Sequence, residues 1–243
     1  MSAAIPLGTR ILVMAKAPSP GRVKTRLAAR IGPEAAAEVA AAALADTIAA
    51  AESAVGVEHC VLALGGGLDD AVSGTAALRA ALVGWRVIPQ RGDDLGERLL
   101  AAHTDVGPGP LVQVGMDTPQ AAPSDLRAVA AALLTHDAVV APAEDGGWWA
   151  LGRHDPQHLR GLPEVRMSSP DTCADTVAAL VAAGAGVHLT RELRDVDEAA
   201  DADVVARLVP DSRFARAWRR ARERGADLAG APDPRPLHPG SRA

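Results

Sequence analysis

Ile11-Leu-Val-Met-Ala-Lys-Ala-Pro-Ser-Pro-Gly-Arg-Val-Lys-Thr-Arg-Leu27 is the stretch that decides how this chain is read. An apolar run from Ile11 to Ala15 ends at a Pro/Gly-rich segment carrying Lys16, Arg22, Lys24 and Arg26. That order predicts a buried first strand with a loop at its carboxyl end. No acidic residue precedes Glu34, although the whole chain has a formal net charge of -5. A cationic loop inside an acidic protein implies an anion site, and a strand-to-helix turn is where phosphates are usually held. A solvated basic face is the commoner fate of a charge run. Here the charges alternate with Gly and Pro, and Val23 and Leu27 anchor the segment so that Lys24, Thr25 and Arg26 take a defined direction.

Outward from that loop, short β-type runs alternate with longer helical ones. Strands are predicted at 11–15, 57–64, 85–89, 111–115 and 138–142, with helices at 33–53, 69–82, 94–106 and 124–135. Near-continuous apolar strands alternating with helices predict a single-domain, three-layer α/β/α fold with a mainly parallel sheet. In such sheets ligands bind beyond the carboxyl ends of the strands. After Pro142 the pattern loosens: a strand at 148–152, a helix at 169–183, a strand at 187–190, and terminal helices at 198–210 and 212–225. The last is Arg-rich and reads as an exposed basic helix docked by Phe214 and Trp218. The domain is expected to span 1–225, with 226–243 a disordered tail rich in Gly and Pro.

Composition sets the bounds. At 243 residues and 48% hydrophobic, the chain can bury a full core. Its apolar residues are mostly Ala, Val and Leu, which suits tightly packed helices on a sheet. A pI near 5.8 argues against a general nucleic-acid binder, which needs many clustered cations. Cys60 and Cys173 form no Cys-x-x-Cys pair and read as thiols in a reducing compartment. No signal-peptide run opens the sequence, and Glu38 and Asp46 make 35–51 too charged to span a bilayer. The expectation is a cytoplasmic protein without a membrane span.

Three later segments carry candidate chemistry. In Val114-Gly-Met-Asp-Thr-Pro119, Asp117 ends a buried strand that Pro119 prevents from continuing. If strands 1 and 4 are neighbours, this acid lies beside the cationic loop; its plainer role is a helix cap or turn. In Ala141-Pro-Ala-Glu-Asp-Gly-Gly-Trp-Trp-Ala-Leu-Gly152, adjacent acids precede two glycines that permit close ligand approach. Trp148 and Trp149 should point to opposite faces of a strand, one into the core and one toward a pocket. In Leu193-Arg-Asp-Val-Asp197, two acids share a face in extended backbone and, with Asp117, could hold a hard divalent cation. Gln90-Arg-Gly-Asp-Asp-Leu-Gly-Glu-Arg98 is a loop opening a helix. Its Gln90 and Asp94 are candidates for base or ribose contacts, with helix capping the plainer account for Asp93 or Asp94.

Taken together, Lys16-Ala-Pro-x-Pro-Gly-Arg-Val-Lys-Thr-Arg-Leu27, Gly92-Asp-x-Leu-Gly-Glu-Arg98, Gly115-x-Asp-Thr-Pro119 and Pro142-Ala-Glu-Asp-Gly-Gly147 resemble the rSAM/selenodomain-associated transferase 1 family, often labelled glycosyltransferase. The resemblance covers roughly residues 10–205. It implies the GT-A nucleotide-diphospho-sugar transferase fold, shared with molybdenum cofactor guanylyltransferase. It also implies that Lys16, Gly21, Arg22, Lys24 and Arg26 bind donor phosphates, and that Asp117 and Asp197, with Asp195 in support, bind a divalent metal. That metal is Mg²⁺, with Mn²⁺ the alternative. Glu144, Asp145, Gly146, Gly147 and Trp148 would face the acceptor, and Asp145 would act as base; Lys24, Asp117 and Asp145 form the catalytic set. The sequence departs from the family where Trp148-Trp149 replaces a pair usually written with Tyr, where Met167-Ser-Ser169 replaces Trp-Ser-Thr, and at Met116.

The leading expectation is a metal-dependent transferase moving a sugar from a nucleotide-sugar donor to a small-molecule acceptor. Nucleotidyl transfer with pyrophosphate release uses the same machinery and is the alternative. It is favoured by the lone Asp117, where many glycosyltransferases of this fold carry Asp-x-Asp. A third class, a nucleotide-binding protein without turnover, predicts binding that is indifferent to metal.

Overall fold

The cationic loop leaves a strand buried from both sides. β1 (Arg10–Lys16) has Ile11, Leu12 and Val13 fully enclosed and Met14 and Ala15 nearly so. Successive side chains point to opposite faces. Ile11, Val13 and Ala15 therefore join one core, and Leu12 and Met14 join the other. The computed structural model describes residues 4–68 and 74–230, with side chains described up to residue 225.

The remaining strands are β2 (Cys60–Gly65), β3 (Arg86–Pro89), β4 (Leu111–Gly115), β5 (Ala138–Pro142), β6 (Trp148–Arg153) and β7 (Val187–Leu189). With β1 they form one sheet in the order β3-β2-β1-β4-β6-β5-β7. All neighbours are parallel except at β6, which runs antiparallel to both β4 and β5. β1 and β4 are neighbours, with Met14 opposite Gly115, so the loops after Lys16 and Gly115 leave the same edge side by side. Because β6 reverses direction, the turn joining it to β5 also lies at that edge.

The helices are α1 (Thr25–Ile31), α2 (Pro33–Val55), α3 (Thr75–Ala81), α4 (Leu95–Val106), α5 (Pro123–Ala132), α6 (Thr172–Ala182), α7 (Ala199–Leu208) and α8 (Arg213–Gly230). α2 and α5 cover one face of the sheet; α4 and α6 cover the other. This is the expected three-layer α/β/α arrangement, with one addition. α8 packs on the outer side of α2, where Phe214 and Trp218 close a third core with Leu27, Ala36, Val39 and Ala43. Alanines along both sides of α2 let it lie between sheet and α8 with little side-chain bulk. The arginines of α8 are largely engaged within the chain: Arg213 with Asp46, Arg222 with Asp203 and Arg224 with Glu38.

Three boundaries differ from the sequence reading. α1 was read as loop; it is a short helix hidden between a Pro/Gly-rich segment and Gly32-Pro33. The strand expected from residue 57 begins at Cys60, because Val57–His59 forms a helical turn after Gly56 at φ 90°. α8 continues to Gly230, past the boundary placed after 225; the rest of the expected tail, 231–243, lies outside the described residues, as does 69–73 of the helix expected at 69–82. Among the described residues, no helix is long and apolar enough to cross a membrane.

Candidate active site

The loop after β1 is shaped by its buried anchors. Val23 and Leu27 enter the core, and Arg22 N–H closes a turn on Ser19 O at 3.1 Å. Gly21, at φ 73°, makes that turn and stands clear of the cavity wall. Lys24 follows as the N-cap of α1 with φ 47° and ψ 45°, a left-handed conformation that a side chain ordinarily disfavours. The conformation turns its side chain inward, where it is 6% exposed. There its Nζ lies 2.6 Å from Asp117 Oδ1 and also donates to Val196 O. Thus the cationic loop and the acid after β4 meet, as adjacent strands 1 and 4 require. Asp117 keeps half of its side chain open to solvent.

The late acidic segment closes the other side. Val196 N–H donates to Asp117 O at 2.8 Å, which fixes 195–197 beside the end of β4. Arg26 pairs with Asp197 at 2.9 Å. Carboxylate oxygens of Asp145, Asp195 and Asp197 all lie within 4.8 Å of one another. Burial, then the charges of Asp145, Asp197 and Asp117, push the Asp195 carboxyl up to about 6. Three acids this close repel unless a proton or a cation compensates them. An all-oxygen, carboxylate-only donor set fits a hard divalent cation such as Mg²⁺. The geometry therefore joins Asp195 and Asp145 to Asp197, whereas Asp117 is drawn toward Lys24.

These groups line one cavity of about 830 Å³ at the carboxyl edge of the sheet. Of the expected site residues, Lys16, Arg22, Lys24, Arg26, Gln90, Asp117, Asp145, Gly147, Trp148, Asp195 and Asp197 line it. Gln90 is held by donating its amide to Ala15 O at 3.0 Å and Ala63 O at 2.9 Å, across the ends of β1 and β2. Trp148 and Trp149 both border the cavity; Trp148 donates Nε1 to Thr176 Oγ1 at 3.1 Å, and Trp149, 4% exposed, packs into the core on the opposite face of the sheet.

Gly21, Asp94, Glu144 and Gly146 do not line the cavity. Asp94 accepts Glu97 N–H at 2.8 Å and caps α4, and Glu97 returns a contact to Asp93 N–H at 2.8 Å, so the plainer account holds for it. Glu144 is paired with Arg194. Gly146 serves packing rather than ligand approach: at φ 89°, a Cβ there would come within 2.1 Å of Pro170 O.

Lining residues that the sequence reading passed over include Arg98, Gln113 and Ser168. Arg98 stood in a quoted motif but was given no role. It donates to Gly92 O at 2.9 Å and to Asp93 O at 2.8 Å, bracing the loop after β3. Gln113 is a signal in hindsight, a polar residue within an otherwise apolar buried strand. Ser168, at φ 58°, lies in Met167-Ser-Ser169, which the sequence marks only as a departure from the family pattern. Among the described residues, Lys24 and Ser168 are the two non-glycine positions with positive φ, and both line this cavity. Backbone strain of this kind clusters at functional sites.

The arrangement offers two cations without an acidic partner among the described residues, Lys16 and Arg22, in one cavity with a carboxylate cluster and with Trp148, Met116 and Met167. The pattern of the family described as "Uncharacterized protein conserved in bacteria (DUF2064)" matches residues 45–169, just over half of the chain. A candidate nucleotide-diphospho-sugar transferase from Desulfovibrio desulfuricans G20 is 26% identical, with a TM-score of 0.73 over 91% of this chain and 97% of that one. A cytidylyltransferase from Leptospira borgpetersenii serovar Hardjo-bovis is 12% identical, with a TM-score of 0.54 over 94% and 99%, a likeness of fold. No protein of curated function matches at a significant level. The fold is that of the GT-A nucleotide-diphospho-sugar transferases.

Proposed function

The chain belongs to the DUF2064 family of proteins conserved in bacteria, and from that premise we propose that it is a nucleotide-dependent transferase that moves a sugar from a nucleoside-diphosphate sugar to a small-molecule acceptor. The observation that carries the reading is the meeting of Lys24 with Asp117 at 2.6 Å inside the cavity. The motif series resembling rSAM/selenodomain-associated transferases and the D. desulfuricans structure both support sugar transfer. The two unpaired cysteines, Cys60 and Cys173, support a cytoplasmic setting.

Lys16 and Arg22 hold the donor's phosphates, and Lys24 and Arg26 turn toward the charge that builds on the departing oxygens. Fixed cations aimed at developing charge in a partly dry site are the main contribution a protein makes to such transfers. Asp197, Asp195 and Asp145 would hold Mg²⁺ through their grouped carboxylates, and Asp117 stays paired with Lys24. When bound, the cation neutralises further charge on the donor phosphates. Trp148 and Gly147 face the acceptor, and Asp145, on the same cavity wall, takes its proton. Gln90 orients the nucleoside at the end of β2.

A second reading, nucleotidyl transfer, is favoured by one observation: among the described residues, Lys16 and Arg22 have no acidic side-chain partner, which leaves positive charge for a triphosphate. Incubation with nucleotide sugars or with nucleoside triphosphates, each with Mg²⁺ and mixed acceptors, separates the two. Nucleoside diphosphate release from a nucleotide sugar supports the first reading. Metal-dependent pyrophosphate release from a triphosphate, without sugar turnover, replaces it by the second.

A further inference from the structure

Asp145 and Asp195 are each preceded in the chain by a charged residue, Glu144 and Arg194, and those two form an ion pair. The pair grows out of the backbone. Ala143 and Leu193 form an isolated parallel bridge: Leu193 N–H donates to Pro142 O at 3.2 Å and Glu144 N–H to Leu193 O at 3.1 Å. One residue on, Glu144 and Arg194 attract. One residue further, Asp145 and Asp195 face each other and repel, with Asp197 in the same group. Beyond the 143–193 backbone bridge, a side-chain tie can oppose that repulsion.

Arg194 has the reach to do so. Its Nη2 meets Glu144 and its Nη1 lies 3.1 Å from Asp201 Oδ1. Asp201 in turn accepts the backbone N–H of Glu198 at 2.9 Å and of Asp197 at 3.4 Å. The Arg194 carbonyl is held by Gln120. One guanidinium thus joins the turn that carries Asp145 to the helix start that fixes the backbone of Asp197.

We infer that Arg194 is a positioning residue whose two-pronged hold on Glu144 and Asp201 keeps the Asp145, Asp195 and Asp197 carboxylates gathered for a divalent cation. The inference rests on the cation-assisted transfer proposed above. It also gives Glu144 a tethering duty in place of acceptor contact. A planar fork is needed to span two carboxylates; a lysine keeps the charge but not the span.

Charge and positioning act in opposite directions here, which makes the inference testable. Removing a nearby positive charge should by itself tighten the binding of a cation. Losing the tether should weaken it, and substitutions behind a metal's ligands typically cost about tenfold to a hundredfold in affinity. Mn²⁺ is titrated into the full chain, without nucleotide, and free Mn²⁺ is followed by electron paramagnetic resonance, for the wild type, Arg194→Met and Arg194→Lys. Circular dichroism checks the fold.

The expected result is Mn²⁺ affinity about tenfold or more weaker in both variants. Arg194→Met binding as well as or better than wild type, or Arg194→Lys binding like wild type, overturns the inference and leaves the proposed function standing. If Arg194→Met does not fold, Arg194→Lys carries the test alone. A wild-type chain that binds no Mn²⁺ overturns the inference together with the cation-assisted reading beneath it.

Discussion

Lys24 reaches Asp117 by adopting a left-handed backbone, and the two side chains meet at 2.6 Å across the ends of β1 and β4. Such a conformation costs of order 1 kcal/mol or more in a residue with a side chain. Its persistence at Lys24 ties a local strain to a long-range contact. Replacing Lys24 by Met should lower kcat/KM by about 10²-fold, the usual cost of losing one fixed charge-stabilising donor. Steady-state assay with whichever nucleotide sugar or triphosphate the incubation above shows to turn over checks this. An unchanged kcat/KM would remove Lys24 from the catalytic set.

The carboxylate cluster should make the chain sensitive to divalent cations in the absence of any reaction. Mg²⁺ or Mn²⁺ should raise the melting temperature of the wild type, because a ligand that binds only the folded form stabilises it by mass action. Asp197→Asn should abolish most of that rise. Differential scanning fluorimetry with added cation or with chelator reads both. An equal rise in wild type and variant would mean that the cation binds elsewhere.

Buried His103 predicts a pH dependence of stability unrelated to catalysis. Full burial, aided by the charge of Arg153, holds its imidazole down at about 3, well below the ordinary 6.5. As pH falls below 6.5 the unfolded chain takes up a proton at this position that the folded chain refuses. Stability is therefore lost on acidification between about pH 6.5 and 3, with a slope approaching about 1.4 kcal/mol per pH unit from this one group. Urea unfolding at pH 7, 6 and 5 should show a shallower loss for His103→Asn than for the wild type. Parallel slopes would exclude the assignment.

Gly146→Ala tests packing rather than chemistry. The added methyl would meet Pro170 O at 2.1 Å on a backbone at φ 89°, and both effects oppose it. A loss of about 1–3 kcal/mol in unfolding free energy is expected. A variant as stable as wild type in denaturant titration would show that the Pro170 segment gives way easily.

How far the sequence carried depended on the range of the interactions involved. Strands β1, β4 and β5 were legible because their burial on both faces leaves near-continuous apolar runs, broken in β4 only by Gln113, and the adjacency of β1 and β4 made the Lys24–Asp117 meeting a stated condition. α1 was not legible, because so short a helix draws its support from Leu27 packing under α8. Asp94 and Gly146 lie off the cavity, and the sequence does not show it for a related reason: an acid beside a helix start and a glycine beside an acid look alike whether they serve a cap, a close contact or a ligand. Only the positions of Glu97 and Pro170 decide between them. The grouping of Asp145 with Asp195 and Asp197 needs the 143–193 bridge, which no local pattern announces.

The reversal of β6 has a consequence for how this scaffold can diversify. A hairpin bend at residues 143–147 borders the cleft through Asp145 and Gly147, while its two legs, β5 and β6, are held in the sheet by β7 and β4. Lengthening or recolouring that bend would alter what the cleft admits without shifting the register of any strand beneath it. Related chains that share the sheet but serve other acceptors are expected to differ there first.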